Sequence, residues 1–189
     1  MQKDINLIND FEADLSKNLN YLPKYELISL KKKLQNIKKN KKKIIIIGNG
    51  GSSSIASHFS VDMTKNAKIR TINFNEPNLI TCFSNDYGFE KFNLKALEYY
   101  ADKGDLLIII SSSGNSKNLL NAARFFKKKN FGEIVTLTGM SDNNKIKKIG
   151  DINFWVNSNS YNVIESLHQI YLLILVDLLV GKLNYKSNL

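Results

Sequence analysis

A single cysteine, Cys82, in 189 residues leaves no partner for an internal disulfide, as expected of a protein in a reducing compartment. The N-terminal Met1–Asn6 has neither the apolar run nor the small-residue cleavage site of a secretory signal, and the expected location is the cytoplasm. No long apolar run is uninterrupted either. The best candidate, Ile170–Val180, contains Asp177 and follows Glu165, His168 and Gln169, so it reads as a buried core helix and not as a membrane span. Two prolines and ten glycines beside 43% hydrophobic residues exclude fibrous and disordered classes. The length suits one α/β domain, taken here as residues 1–189. Also missing are the G-x-G-x-x-G spacing of dinucleotide-binding turns and the Gly-Lys-Ser/Thr of a P-loop.

Acidic residues are outnumbered, 17 against 27 Lys and Arg, giving a formal charge of +10. Such an excess raises the question of nucleic acid, which clustered lysines bind through counterion release. The runs Lys31–Lys33, Lys41–Lys43 and Lys127–Lys129, with the pairs Lys38-Lys39 and Lys147-Lys148, lie at expected helix ends and turns without interleaved aromatic platforms. They read as solvated faces, and a nucleic-acid partner is not expected.

Apolar residues recur at helical spacing from Ile5 to Lys39, predicting two helices broken near Pro23. This segment, about residues 1–40, forms an N-terminal helical extension expected to serve oligomer packing. Four isoleucines, Ile44–Ile47, then form a buried-strand run ending at Gly48-Asn49-Gly50-Gly51, followed by a helix from Ser52 or Ser53 to Lys65. Further strands are expected at Lys68–Phe74, Leu106–Ile110, Glu133–Thr138 and Ile152–Val156. Helices are expected at Glu90–Ala101, Leu119–Lys129, Lys145–Ile149 and Val163–Val180, with Asn78–Asn85 helical or irregular. Alternating strands and helices predict an α/β sandwich, a parallel sheet with helices on both faces.

Two turns stand out because each follows an apolar strand and opens a helix, where ligands bind in such sheets. In Gly48-Asn49-Gly50-Gly51-Ser52-Ser53-Ser54, Gly50 and Gly51 allow a close backbone approach to an anion and the helix N-terminus attracts it. Ser111-Ser112-Ser113-Gly114-Asn115-Ser116 repeats the arrangement with closely spaced hydroxyls. Each turn alone is equally an ordinary serine-capped helix start.

The blocks Gly48-Asn49-Gly50-Gly51-Ser52, His58-Phe59, Asn85-Asp86-Tyr87-Gly88-Phe89, Gly104-Asp105, Ser111–Ser116 and Leu137-Thr138-Gly139 resemble, in order and spacing, the bacterial phosphoheptose isomerases of the sugar isomerase (SIS) type. The resemblance spans nearly the whole chain. It implies a flavodoxin-like three-layer SIS sandwich, a homotetramer with active sites between subunits, and a sugar-phosphate ligand. By position it gives Ser111, Ser113 and Ser116, supported by Ser112, to the phosphate. It gives Asn49 and Ser52 to the sugar chain and Asp86 to a sugar hydroxyl; without the resemblance Asp86 reads as a turn residue.

The departures bear on mechanism. Where the family has a catalytic glutamate four residues after its histidine, this chain has Asp62 after His58, on the same helix face but one methylene shorter. The family's glutamine is Glu165, and its arginines are replaced by Asn66 and Val163. The histidine that serves the family as acid and zinc ligand is Leu173, which can do neither. Isomerisation needs a base beside the carbonyl and an acid at its oxygen; Asp62 or Glu165 would be the base and His168, three residues after Glu165, the acid. His58, Asp62, Glu165 and His168 could together hold zinc if subunits bring them together, whereas a packed His168 is the plainer reading. Two functions follow: an aldose–ketose isomerase of a sugar phosphate, or a non-catalytic SIS regulator or adaptor that binds a phosphosugar or a protein such as a replication initiator.

Overall fold

The computed structural model describes residues 1–184; the last five positions of the domain expected to run to 189 lie outside the described residues. Its elements are α1 (Gln2–Leu19), α2 (Lys24–Lys39), β1 (Ile44–Gly48), α3 (Gly51–Lys65), β2 (Thr71–Ile72), α4 (Pro77–Tyr87), α5 (Phe92–Tyr100), β3 (Leu106–Ser111), α6 (Lys117–Lys128), β4 (Ile134–Thr138), β5 (Ile152–Trp155) and α7 (Tyr161–Val180). The five strands are all parallel, in the order β2-β1-β3-β4-β5.

Both faces of the sheet are covered, which is why the central runs Ile44–Ile47 and Leu106–Ile110 are apolar at every position. Ile44 and Ile46 join Ile108, Ile110, Val135 and Leu137 in a layer closed by α2, α3 and α7. Ile45 and Ile47 join Leu107, Ile109 and Ile134 in a second layer closed by α5 and α6. The three layers are those of the expected sandwich.

Strand order places the ligand crevice. From β1 the chain moves outward to β2, then crosses back to β3 on the other side of β1, so the crossover direction reverses between β1 and β3. In register, Gly48 pairs with Ile110 and Ser111 with Thr138, so the glycine turn after β1 and the serine turn after β3 leave the same sheet edge side by side.

Helix α7 is apolar enough to satisfy a membrane-span criterion, yet it is a core helix: Val163, Ile164, Leu167, Tyr171, Leu172, Leu175 and Val176 are buried in the first layer. Helix α1 packs on α7 and is tied down by Asp14 Oδ2, which accepts from Ser158 Oγ at 2.5 Å. Its other face carries exposed Leu7 and Ile8 and partly exposed Ile5 and Phe11.

Two local expectations need correction, and one left open between helix and irregular is resolved. The strand foreseen at Lys68–Phe74 shrinks to Thr71–Ile72, because Lys68 takes a left-handed conformation (φ 58°) that closes α3, and Asn73 and Asn75 turn their amides to Ser60, Ser53 and Ser57 of α3. Lys145–Ile149 forms turns and no helix; Asn144 Oδ1 accepts from the Lys147 N–H at 2.9 Å and Gly150 already closes the turn. The 77–87 segment is fully helical, with Pro77 opening α4 and the Glu76 carboxylate accepting from the Leu79 N–H at 2.7 Å.

Candidate functional site

At the switch point lies a cavity of about 130 Å³ lined by Asn49, Ser52, Ser111, Ser112, Ser113, Ser116 and Glu165, with Tyr161 at its wall. It has room for a phosphoryl group and opens to solvent on one side, so that a longer ligand can extend out of it. Larger grooves exist, such as one of about 340 Å³ bounded by Ile174, Leu178 and Leu183, but no comparable set of hydroxyls converges there.

The first turns of α3, α6 and α7 all border the pocket, through Ser52, Ser116 and Tyr161. N-terminal turns leave N–H groups without intrahelical acceptors and carry the positive end of the helix dipole. Ser160 caps the first turn of α7, accepting from the Val163 N–H at 3.4 Å, whereas two details keep those of α3 and α6 free of side-chain caps. Ser116 sits at the N-cap of α6 yet makes no side-chain cap, and the N-cap of α3 is Gly50, which has no side chain to offer. Gly50 adopts φ 53°, ψ −126°, a conformation open essentially to glycine alone. Ser112 is 5% exposed, and its hydroxyl has no hydrogen-bond partner among the described residues. A buried unpaired hydroxyl costs about 1–3 kcal/mol, which a ligand oxygen would recover. Among the described residues no lysine or arginine lines the cavity, so an anion there would be held by neutral donors and helix ends.

Glu165 is the one charged group in the lining. Its carboxylate stacks on Gly51, where an added methyl would come 2.8 Å from Glu165 Cδ. Here the structure adds a glycine requirement that flexibility of the turn did not suggest. Asn49 faces the pocket while paired to the buried Asn118: Asn49 Nδ2 donates to Asn118 Oδ1 at 3.0 Å, and Asn118 Nδ2 donates to Asn49 Oδ1 at 2.8 Å. Asn118 and Tyr161 were not foreseen; their only sequence signal is their place within the first two residues of α6 and α7.

His58 and Asp62 lie together on α3 outside this cavity. His58 Nε2 is 3.2 Å from Asp62 Oδ2, Gln169 of α7 meets His58 Nδ1 at 3.1 Å, and Asn66 Nδ2 donates to Asp62 Oδ1 at 3.2 Å. Asp86 is not in the pocket. It is exposed on the last turn of α4, where Asn85 Nδ2 donates to its Oδ1 at 3.0 Å, the local turn-type bonding that its neighbours allow.

His168 takes the packed position of the plainer reading and not that of a catalytic acid. Its side chain is fully buried, Nε2 donates to the Thr138 carbonyl at 3.2 Å, and burial pushes the imidazole down to about 4. Residues three apart share a helix face, so what separates the two is what packs on them: Glu165 borders the crevice, whereas His168 lies against the Thr138 carbonyl in the core. It neither lines the cavity nor pairs with Glu165 as an acid–base couple.

The four-residue zinc set is likewise not assembled in one chain. Among the described residues no group of three or more His, Cys, Asp and Glu side chains gathers around a common point. With Leu173 in place of a ligand and His168 turned into the core, the residues of a single chain do not fit a zinc ion.

Comparison with known proteins agrees with this geometry. The sequence pattern of the SIS domain is matched over residues 24–139. The chain is 31% identical over 182 residues to a phosphoheptose isomerase of Fusobacterium nucleatum, covering 92% of this chain and 93% of that one. It is 35% identical over 147 residues to a phosphoheptose isomerase of Helicobacter pylori, covering 74% and 75%. The solved phosphoheptose isomerase of Francisella tularensis shares the fold, with a TM-score of 0.85 at 24% identity over 96% of this chain and 98% of that one. None of these relatives favours the regulator or adaptor alternative. A serine-lined crevice at the β1/β3 switch point, on a chain matched nearly end to end by these relatives, therefore places the protein in the SIS-domain family, among the phosphoheptose isomerases.

Proposed function

We propose that this protein interconverts the aldose and ketose forms of a sugar phosphate, a phosphoheptose being the substrate class in the names of its relatives and a heptose 7-phosphate the form we assign. The observation that carries the reading is the Ser111–Ser116 cradle, in which Ser111, Ser112, Ser113 and Ser116 gather around one small cavity at the uncapped first turn of α6. Such a cradle takes a dianionic phosphoryl group and leaves the sugar to extend out of it.

In a 7-phosphate the reacting carbons lie at the far end from the phosphate. His58 and Asp62 are six and ten residues beyond Ser52 on α3, about 9 and 15 Å along the helix axis at about 1.5 Å per residue. His58 thus lies within the reach of a seven-carbon chain, and we assign the carboxylate bonded to it, Asp62, to take the proton beside the carbonyl, with His58, held between Gln169 and Asp62, as the group that protonates its oxygen to give the enediol. Glu165, against the phosphate end, orients the substrate. The short side chain of Asp62 and the exposed Asp86 both call for groups approaching from a second subunit, and the apolar outer face of α1 is the surface we assign to a cytoplasmic homotetramer.

The test is direct. Purified protein incubated with sedoheptulose 7-phosphate, with added zinc and with chelator, is expected to generate aldose-phosphate signals in ¹³C and ³¹P NMR. Unchanged spectra under both conditions would overturn the reading for that substrate.

A further inference from the structure

We infer that Asn118 is a positioning residue that makes the phosphate cradle and the sugar-facing turn act as one unit, through its paired amide with Asn49. The inference rests on the isomerase reading and deepens it. Asn118 is 3% exposed and does not line the cavity, whereas Asn49 does. Each carboxamide offers two N–H donors and two acceptor lone pairs. The reciprocal bonds at 3.0 and 2.8 Å use one donor and one acceptor on each, leaving Asn49 with one N–H and one lone pair for a ligand hydroxyl.

The two residues sit on different turns. Asn49 follows β1, while Asn118 is the second residue of α6, immediately after the serine turn. β1 and β3 are neighbouring strands, so a paired amide spans the crevice floor from one turn to the other. With the Asn49 side chain already fixed, less ordering entropy is lost when a sugar hydroxyl binds it. Phosphate capture by Ser111–Ser116 then presents the sugar to an amide whose plane is set beforehand. Phosphate itself touches no part of this device, because it needs only the hydroxyls and the α6 N–H groups. The amide pair should therefore govern preference for a sugar phosphate over inorganic phosphate, and not phosphate binding as such.

A double-substitution cycle read by calorimetry tests this, titrating sedoheptulose 7-phosphate and inorganic phosphate separately. Asn118→Ala is expected to weaken sugar-phosphate binding about tenfold while changing inorganic phosphate less than about twofold. In an Asn49→Ala background the same substitution should change sugar-phosphate binding less than about twofold, since Asn118 acts only through Asn49. Asn118→Leu, which keeps the buried volume, should reproduce the loss, and the unliganded melting temperatures guard against misfolding.

Equal loss of both ligands, or the same loss with and without Asn49, would overturn the inference and make Asn118 a structural residue of α6. Wild-type protein that prefers the sugar phosphate beside an Asn118→Ala variant with undiminished preference sinks the inference alone. Wild-type protein with no preference for the sugar phosphate sinks the isomerase reading and this inference together.

Discussion

The Glu165 carboxylate rests on the bare Cα of Gly51, so the acidic side chain entering the phosphate crevice from α7 is seated by the first residue of α3. Any side chain at position 51 would displace Glu165. Gly51→Ala should therefore weaken sugar-phosphate binding by one to two orders of magnitude, about 1.4 kcal/mol for each tenfold, as measured by calorimetry. The cause is displacement of Glu165 together with crowding of the helix N-terminus.

Glu165→Gln removes a negative charge from a cavity that receives a dianion, while keeping shape and hydrogen-bonding capacity. Inorganic phosphate affinity is expected to rise several-fold, and more at low ionic strength, where the like-charge repulsion is least screened. A fall in phosphate affinity would mean that the Glu165 carboxylate is protonated or bridged when the anion binds.

Ser112→Ala should stabilise the unliganded protein and weaken the liganded one. Deleting an unpartnered buried hydroxyl relieves about 1 kcal/mol, worth roughly 2–4 °C in melting temperature for a chain of this size. Phosphate affinity should drop at the same time. Ser113→Ala and Ser116→Ala are expected to lower affinity without that gain, because their hydroxyls are not sealed in. Thermal melts with and without phosphate separate the two cases.

His168 predicts a pH dependence. Its imidazole is neutral in the folded protein down to about pH 4, whereas the unfolded chain binds a proton near 6.5. The depressed folded value means that stability is fully present above about 6.5 and is lost as pH falls from there toward 4, by on the order of 3 kcal/mol. Urea unfolding of wild type and His168→Gln across pH 7.5 to 4 should show the wild type losing more stability than the variant. Because the ring lies outside the pocket, the variant should keep turnover within a few-fold of wild type at neutral pH; loss beyond a hundredfold would return His168 to the catalytic set.

The outer face of α1 supplies a fifth prediction. Ile8→Glu and Phe11→Glu place charges on a half-exposed apolar stripe without touching the Asp14–Ser158 tie. Sedimentation should show a shift from tetramer to smaller species, with secondary structure retained. An unchanged sedimentation coefficient would move the subunit interface elsewhere, for instance to the exposed aromatic surface of Tyr87, Phe89 and Tyr99.

The fold was largely legible because its strands are unusually plain. Ile44–Ile47 and Leu106–Ile110 are apolar at every position, which only a sheet covered on both faces demands, and each runs straight into a turn rich in Gly or Ser. Edge elements were less readable. β2 is an edge strand with one neighbour, so two residues suffice and the rest of Lys68–Phe74 bends away to bond α3. Gly104-Asp105 looked like part of a family signature, and the structure gives the pair a mechanical role: buried Asp105 accepts from the Lys43 and Asp102 N–H groups and meets the Lys43 ammonium at 2.6 Å, latching β1 to β3.

By itself the sequence determined the parallel sheet, the two Gly- and Ser-rich turns and the absence of a histidine at position 173, since periodicity, turn chemistry and residue identity are local properties. Only the tertiary structure decided that Glu165 and His168, three residues apart, face a ligand crevice and a sealed core respectively, and that Asn118 reaches back to Asn49. A helix exposes its faces to different surroundings according to what packs on it, and no spacing rule within the helix contains that information.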